Sequence, residues 1–192
     1  MRVVGGRRLA AACASALLLA GCGSSTQGVP IASGSSSTSG TATTAVASGP
    51  GEPFDPCTIP KDAVTASGLD VSTERADFAG ITTYPGWKGC TWDGAAQNSW
   101  YYVAVLSSME SIEELLRSPS FVRVSDLDVA GRNAAQLRHA DELQFLGCAV
   151  ALGTDGGLIV LDLQKKGSRE LEGDACAEVN RHAADLESFF PK

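Results

Sequence analysis

The sequence predicts an α+β domain with a mainly antiparallel sheet, a short N-terminal helix, a longer C-terminal helix and two disulfides. Three observations carry that prediction. Strand-type runs and helical stretches occur separately rather than in strict β-α-β alternation. Consecutive strand runs are joined by Ala130-Gly131-Arg132-Asn133 and by Gly153-Thr154-Asp155-Gly156-Gly157, which carry the Gly, Asn and Asp content of hairpin turns. Four cysteines, Cys57, Cys90, Cys148 and Cys176, are spread over a segment of about 139 residues, long enough for one core.

In chain order, residues 1–21 read as a bacterial export signal. Arg2, Arg7 and Arg8 form a basic start, and residues 10–20 are an apolar run too short to span a bilayer. Leu19-Ala20-Gly21-Cys22 resembles a bacterial lipobox. That resemblance implies a diacylglyceryl group on the Cys22 thiol, cleavage just before it, and anchoring on the extracytoplasmic face of the cell membrane. At about 0.8 kcal/mol per buried methylene, one acyl chain binds marginally and two or more hold stably. Cys13 would leave with the signal.

Residues 22–53 read as the lipidated cysteine and a tether. Between 23 and 50, 22 of 28 residues are Gly, Ser, Thr or Ala, with no charge and no aromatic ring. Such a segment buries too little apolar surface to offset the entropy of ordering, so it is expected to be disordered. As a flexible coil it would hold the domain roughly 30 Å from the membrane. Without the three signal arginines, 12 basic residues face 22 acidic ones, a net charge of about −10. That balance argues against nucleic acid as a partner and against direct adhesion to an anionic membrane.

The domain, residues 54–192, opens with Asp55-Pro56-Cys57-Thr58. A short helix over 60–67 follows, capped by Thr58 or the turn before it, with Pro early, Asp62 in the first turn and Gly68 just past the end. Residues 70–86 have no clear period and read as loop with at most a short strand. Residues 88–93 form a strand carrying Cys90, and 100–107 a clearer one. In the latter, Trp100, Tyr102, Ala104 and Leu106 share one face and Tyr101, Val103 and Val105 the other. Two largely apolar faces predict a central strand.

Ser111-Ile112-Glu113-Glu114 is a capping box opening a short helix that Pro119 closes. Residues 121–129 and 134–138 form a strand pair; 148–152 and 158–163 form a hairpin. Over 174–189, Cys176, Val179, Ala183, Leu186 and Phe190 recur in steps of three and four and place one stripe of a helix against the sheet.

In an exported protein the even set of four cysteines implies disulfides, and the short C-x-x-C pairs of a zinc site are absent. Of three possible pairings, Cys57–Cys90 with Cys148–Cys176 is favoured, two successive loops each contributing about 3.5–4 kcal/mol in the chain-entropy model.

Phe54-Asp55-Pro56-Cys57, Gly86-Trp87-Lys88-Gly89-Cys90 with Trp92 two residues on, Gly131-Arg132, Cys148 and a C-terminal Asp174-x-Cys176 helix resemble the DUF3558 family over about 54–190. The resemblance implies an actinobacterial lipoprotein built as lipobox, tether and one domain. The family has no established general activity, so it implies no catalytic residue.

All three Trp and all three Tyr fall between Tyr84 and Tyr102. They are expected mostly in the core, with Trp87, after Pro85-Gly86, the one expected to be exposed and to contact a ligand. Asp126-Leu127-Asp128 mimics the opening of a calcium loop, but Ala130 and Leu137 stand where ligands belong, so no metal site is expected. The only histidines, His139 and His182, are expected to be structural or solvent-facing, His182 in a surface pair with Glu178 at i−4. No G-x-S-x-G, H-E-x-x-H, phosphate loop or dinucleotide fingerprint occurs, and no cofactor is expected. The sequence therefore predicts a non-enzymatic envelope lipoprotein that binds a small apolar or glycolipid ligand. A module for an envelope protein partner, or a sensor accessory, is the alternative, and a hydrolase is less favoured.

Overall fold

Seven strands form one antiparallel sheet among the described residues: β1 (Leu69–Arg75), β2 (Trp87–Gly94), β3 (Tyr101–Ser108), β4 (Phe121–Val129), β5 (Arg132–His139), β6 (Gly147–Thr154) and β7 (Gly157–Lys165). Their spatial order is β1-β2-β3-β7-β6-β5-β4, every neighbour antiparallel. The helices are α1 (Lys61–Ala66), α2 (Ile112–Leu115) and α3 (Ala175–Leu186). The computed structural model describes residues 51–78, 80, 84–140, 147–167 and 169–192; the assignments made above for residues 1–50 lie outside them.

The expected α+β class with its antiparallel sheet, short N-terminal helix, longer C-terminal helix and two disulfides is what the chain adopts. β3 is an interior strand, flanked by β2 and β7, as its two apolar faces predict. Tyr101, Val103 and Val105 join Trp92, Val150, Leu161, Leu163, Val179 and Leu186 in a core between the sheet and α3. The alternate residue Leu106 packs on the opposite face with Leu115, Leu137, Ala149, Ala151 and Val160. Period-2 patterning thus divides one strand between two cores.

Ser111 caps α2 as expected: its hydroxyl accepts from Glu114 N at 3.2 Å, and the Glu114 carboxylate accepts from Ser111 N at 2.8 Å. Asp174 caps α3 by accepting from Cys176 N (2.8 Å) and Ala177 N (3.2 Å). The β4–β5 turn needs two residues, not four: Ala130 (φ 50°) and Gly131 (φ 88°) lie between Val129 and its partner Arg132. Two left-handed residues in succession match the twist of the flanking strands, which is why Gly stands second. β5 therefore starts at Arg132, two residues earlier than expected. α3 ends at Leu186 and tightens into a 3₁₀ turn, Glu187–Phe189. There the buried Glu187 carboxylate accepts from Lys192 (2.8 Å) and Arg132 (3.2 Å), hydrogen bonds that hold it below the ordinary carboxylate range.

Both disulfides have the favoured pairing. Cys57–Cys90 joins the N-terminal 3₁₀ turn (Pro56–Thr58) to β2, and Cys148–Cys176 joins β6 to the first turn of α3.

Two local expectations are corrected and a third is made definite. Residues 69–75 form the short strand for which the reading of 70–86 left room. Its register jumps from Asp70↔Asp93 to Arg75↔Thr91, so the inserted residues erase the alternation on which a strand is recognised. Side chains replace the lost ladder: Asp70 accepts from Ser72 N (2.9 Å) and Oγ (2.7 Å), and Asp93 N donates to Thr73 Oγ1 (2.9 Å). At the start of α1, Pro60 holds the cap position, while the Thr58 hydroxyl donates to Asp55 O at 2.6 Å instead. His182 is fully buried, not in a surface pair; Glu178 accepts from Arg181 at 2.7 Å.

Candidate functional site

α1 and α3 cover one face of the sheet. On the other, the described residues supply one short helix, α2, which packs Leu115, Ile112 and Leu116 over part of the second core. Small side chains leave the adjoining region open. Asp162 of β7 lies opposite Ala104 of β3 on one side and Ala149 of β6 on the other. At Gly89 of β2 a Cβ would press on Asp77 O (2.9 Å) and Leu106 (3.1 Å), so the strand permits close approach of the preceding segment only as glycine. A cleft of about 920 Å³ results, floored by Ala104, Leu106 and Leu115. That volume is in the range of small-molecule sites.

Aromatic rings form its walls. Trp87 opens β2 and meets Tyr84 edge to face at 6.4 Å, and Tyr84 in turn contacts Phe78 at 6.1 Å. Phe121, the first residue of β4, stands across from them in the cleft lining, its ring 4.6 Å from the imidazole of His139. Glu110, Glu114, Ser118, Pro119 and Ser120, from the segment that carries α2, complete the rim.

One polar cluster reaches the floor. Nε2 of His139 lies 3.1 and 3.2 Å from the two carboxylate oxygens of Asp162, and Gln164 Nε2 donates to the same group at 3.0 Å. An ionised carboxylate only accepts, so His139 carries its proton on Nε2. Asp162 is 9% exposed, in the middle of an otherwise apolar stretch of β7. Beside it, burial first and the Asp162 charge second raise the pKa of the Tyr102 phenol.

Trp87 does line this cleft, but it is half-buried; the exposed ring is Tyr84, at 56%. The remaining aromatics divide as the sheet divides. Trp92, Trp100 and Tyr101 belong to the helix-side core, and Tyr102 lies half-buried. The four cysteines are structural. Asp126 pairs with Arg123 at 2.6 Å, and Asp128 accepts from Gly131 N at 3.0 Å to close its turn. Among the described residues no group of three or more His, Cys, Asp or Glu is arranged to hold a metal ion.

Sequence reasoning missed Phe78, Phe121, Glu110, Glu114 and the His139–Asp162 pair. One signal was available: Asp162 is the single charge within the apolar run of β7, and a buried carboxylate requires a partner. The identity of that partner, 23 residues away, has no signature in spacing.

No described helix is long and apolar enough to cross a membrane. Neither a curated protein nor a solved structure matches the chain. A family model described as "Protein of unknown function (DUF3558)" matches residues 17–188. With its length so covered, the chain belongs to the DUF3558 family.

Proposed function

We propose that this protein is a lipoprotein of the bacterial envelope, tethered through Cys22 on the extracytoplasmic face, whose domain binds a small apolar or glycolipid ligand. The observation that carries the binding role is the cleft: aromatic walls, a floor of Leu and Ala, and polar groups confined to the rim and to His139–Asp162. A long apolar body would lie on the floor, and hydroxyl groups of a sugar would meet the carboxylates at the rim. Binding is favoured over nucleophilic catalysis because the rim hydroxyls of Ser118 and Ser120 bond to each other at 3.1 Å.

Native mass spectrometry tests the binding role on residues 52–192, with the mature N-terminal segment removed, recovered from a producing cell's envelope fraction. Extra mass that solvent extraction removes is expected; a bare domain mass would count against a retained ligand. The anchor has its own test. Cys22→Ser should transfer the protein from the detergent-soluble membrane fraction to the soluble one, and unchanged fractionation would refute lipidation at Cys22.

A second reading, a module for a protein partner, is favoured by one feature. β4 is an edge strand whose Val122 and Val124 are 48% and 52% exposed, a surface suited to strand addition. A bare domain mass together with crosslinks to β4 would favour it.

A further inference from the structure

The charges around the cleft narrow its ligand. Among the described residues Glu110, Glu114 and Asp162 line it, and no lysine or arginine does. The one histidine there, His139, offsets at most a single charge, so the cleft stays negative whichever protonation state that ring adopts. Arg117 approaches Glu114 only to 4.0 Å and is 74% exposed at its side chain, a pair that water screens. Glu114 also spends one oxygen on the α2 cap, whereas Glu110 is exposed on the rim. An acidic rim alone would attract any cation in passing. Here it surrounds walls built from Trp87, Tyr84, Phe78 and Phe121, whose ring faces carry negative potential and attract a weakly hydrated cation. Carboxylate and sulfate headgroups meet repulsion on the same surface, with no lysine or arginine among its described lining residues to receive them.

Resting on the reading of this cleft as a ligand site, we infer that its ligand is a cationic amphiphile: an ammonium group held between the rim carboxylates and the aromatic walls, with an apolar chain along Leu106 and Leu115. The ammonium would take the position nearest Glu110 and the Tyr84–Trp87 pair. Asp162 and His139 lie deeper, at the sheet.

Isothermal titration of the full chain carrying Cys22→Ser, which needs no detergent, decides the matter. Three probes share one tail and are used below their micellar concentrations: decyltrimethylammonium, decyl sulfate and decyl maltoside. The ammonium probe is expected to bind about tenfold more tightly than the maltoside and to weaken with added salt, while the sulfate does not bind. Glu110→Gln should weaken the ammonium probe about threefold and leave the maltoside unchanged. Glu172→Gln, an exposed acid beside Gly173 on the Trp100 side of the sheet, should change neither. Equal binding of all three probes, or an equal loss from Glu172→Gln, would overturn the charge inference and leave the apolar cleft in place. If none of the three binds, the ligand-site reading falls and the inference with it.

Discussion

Replacing Cys148 and Cys176 together by alanine should lower stability by about 3.5 kcal/mol. The bridge closes a separation of 28 residues, and the chain-entropy model assigns about that much to forbidding the unfolded chain its wider conformations. For a domain of this size the loss corresponds to about 12 °C in Tm. The Cys57–Cys90 bridge spans 33 residues, and the logarithm of loop length separates the two by only about 0.15 kcal/mol. Near-equal losses from the two double-alanine variants are therefore expected, with urea m-values rising because an uncrosslinked unfolded chain exposes more surface. The bridges differ in what remains when they are gone. α3 keeps Val179, Ala183 and Leu186 buried against the sheet, whereas the Pro56–Thr58 turn is held mainly by its neighbours Phe54 and Ile59. A loss below about 1 kcal/mol at Cys148–Cys176 would show that packing of α3 alone fixes the helix and that the entropic account fails here.

What was legible in the sequence follows the range of the forces involved. The capping box at Ser111, the β6–β7 hairpin and the apolar stripe of α3 are each specified by residues within one turn or one hairpin, and each forms as expected, the hairpin with Thr154 paired to Gly157 and so a two-residue turn in place of five. The even cysteine count and their spacing gave the disulfides. β1 was hidden because side-chain hydrogen bonds from Asp70 and Thr73 accommodate extra residues, which destroys the period-2 signal without destroying the strand. The cleft was hidden for a different reason. Its aromatic walls come from segments around Phe78, Trp87 and Phe121, and only the sheet order β2-β3-β7-β6-β5-β4 brings them to one face. Trp87 was identified as a candidate from its turn context, but the ring that extends furthest into solvent is Tyr84, because Trp87 begins β2 and packs at the margin of the second core.

His182 leads to the second large effect, a loss of about 3 kcal/mol in stability as the pH falls from about 6.5 to about 4. The imidazole is fully buried on α3. Its Nε2 lies 3.0 Å from the Tyr101 hydroxyl and 3.3 Å from Arg181 Nη2. A guanidinium cannot accept a hydrogen bond, so Nε2 carries the lone pair, Tyr101 donates to it, and the proton of the neutral ring sits on Nδ1. Nδ1 is buried without a hydrogen-bond partner. Acid must therefore protonate Nε2, which sets a new proton and charge against the Arg181 guanidinium in a buried site, although the Tyr101 hydroxyl can turn to accept from it. Burial first, and the Arg181 charge second, lower the pKa to about 4; Glu178 and the Ser67 backbone oppose them more weakly. Because the folded-state pKa lies below the unfolded value, the unfolded chain binds the extra proton between the two. The stabilisation is complete above about 6.5 and disappears as pH falls through that window. The carboxyls held low in the fold, such as Glu187, begin to lose their share as pH falls through the ordinary carboxylate range, so the interval from pH 7 to 5 is the part of the curve that belongs to His182. Urea titrations at pH 7, 6, 5 and 4 should show the decline in the wild type. In His182→Gln, less stable at neutral pH but with nothing to titrate at that position, the curve should be nearly flat from pH 7 to 5. A wild-type curve that is level from pH 7 to 5 would mean that His182 accepts its proton without cost, and that burial beside Arg181 does not hold the ring neutral.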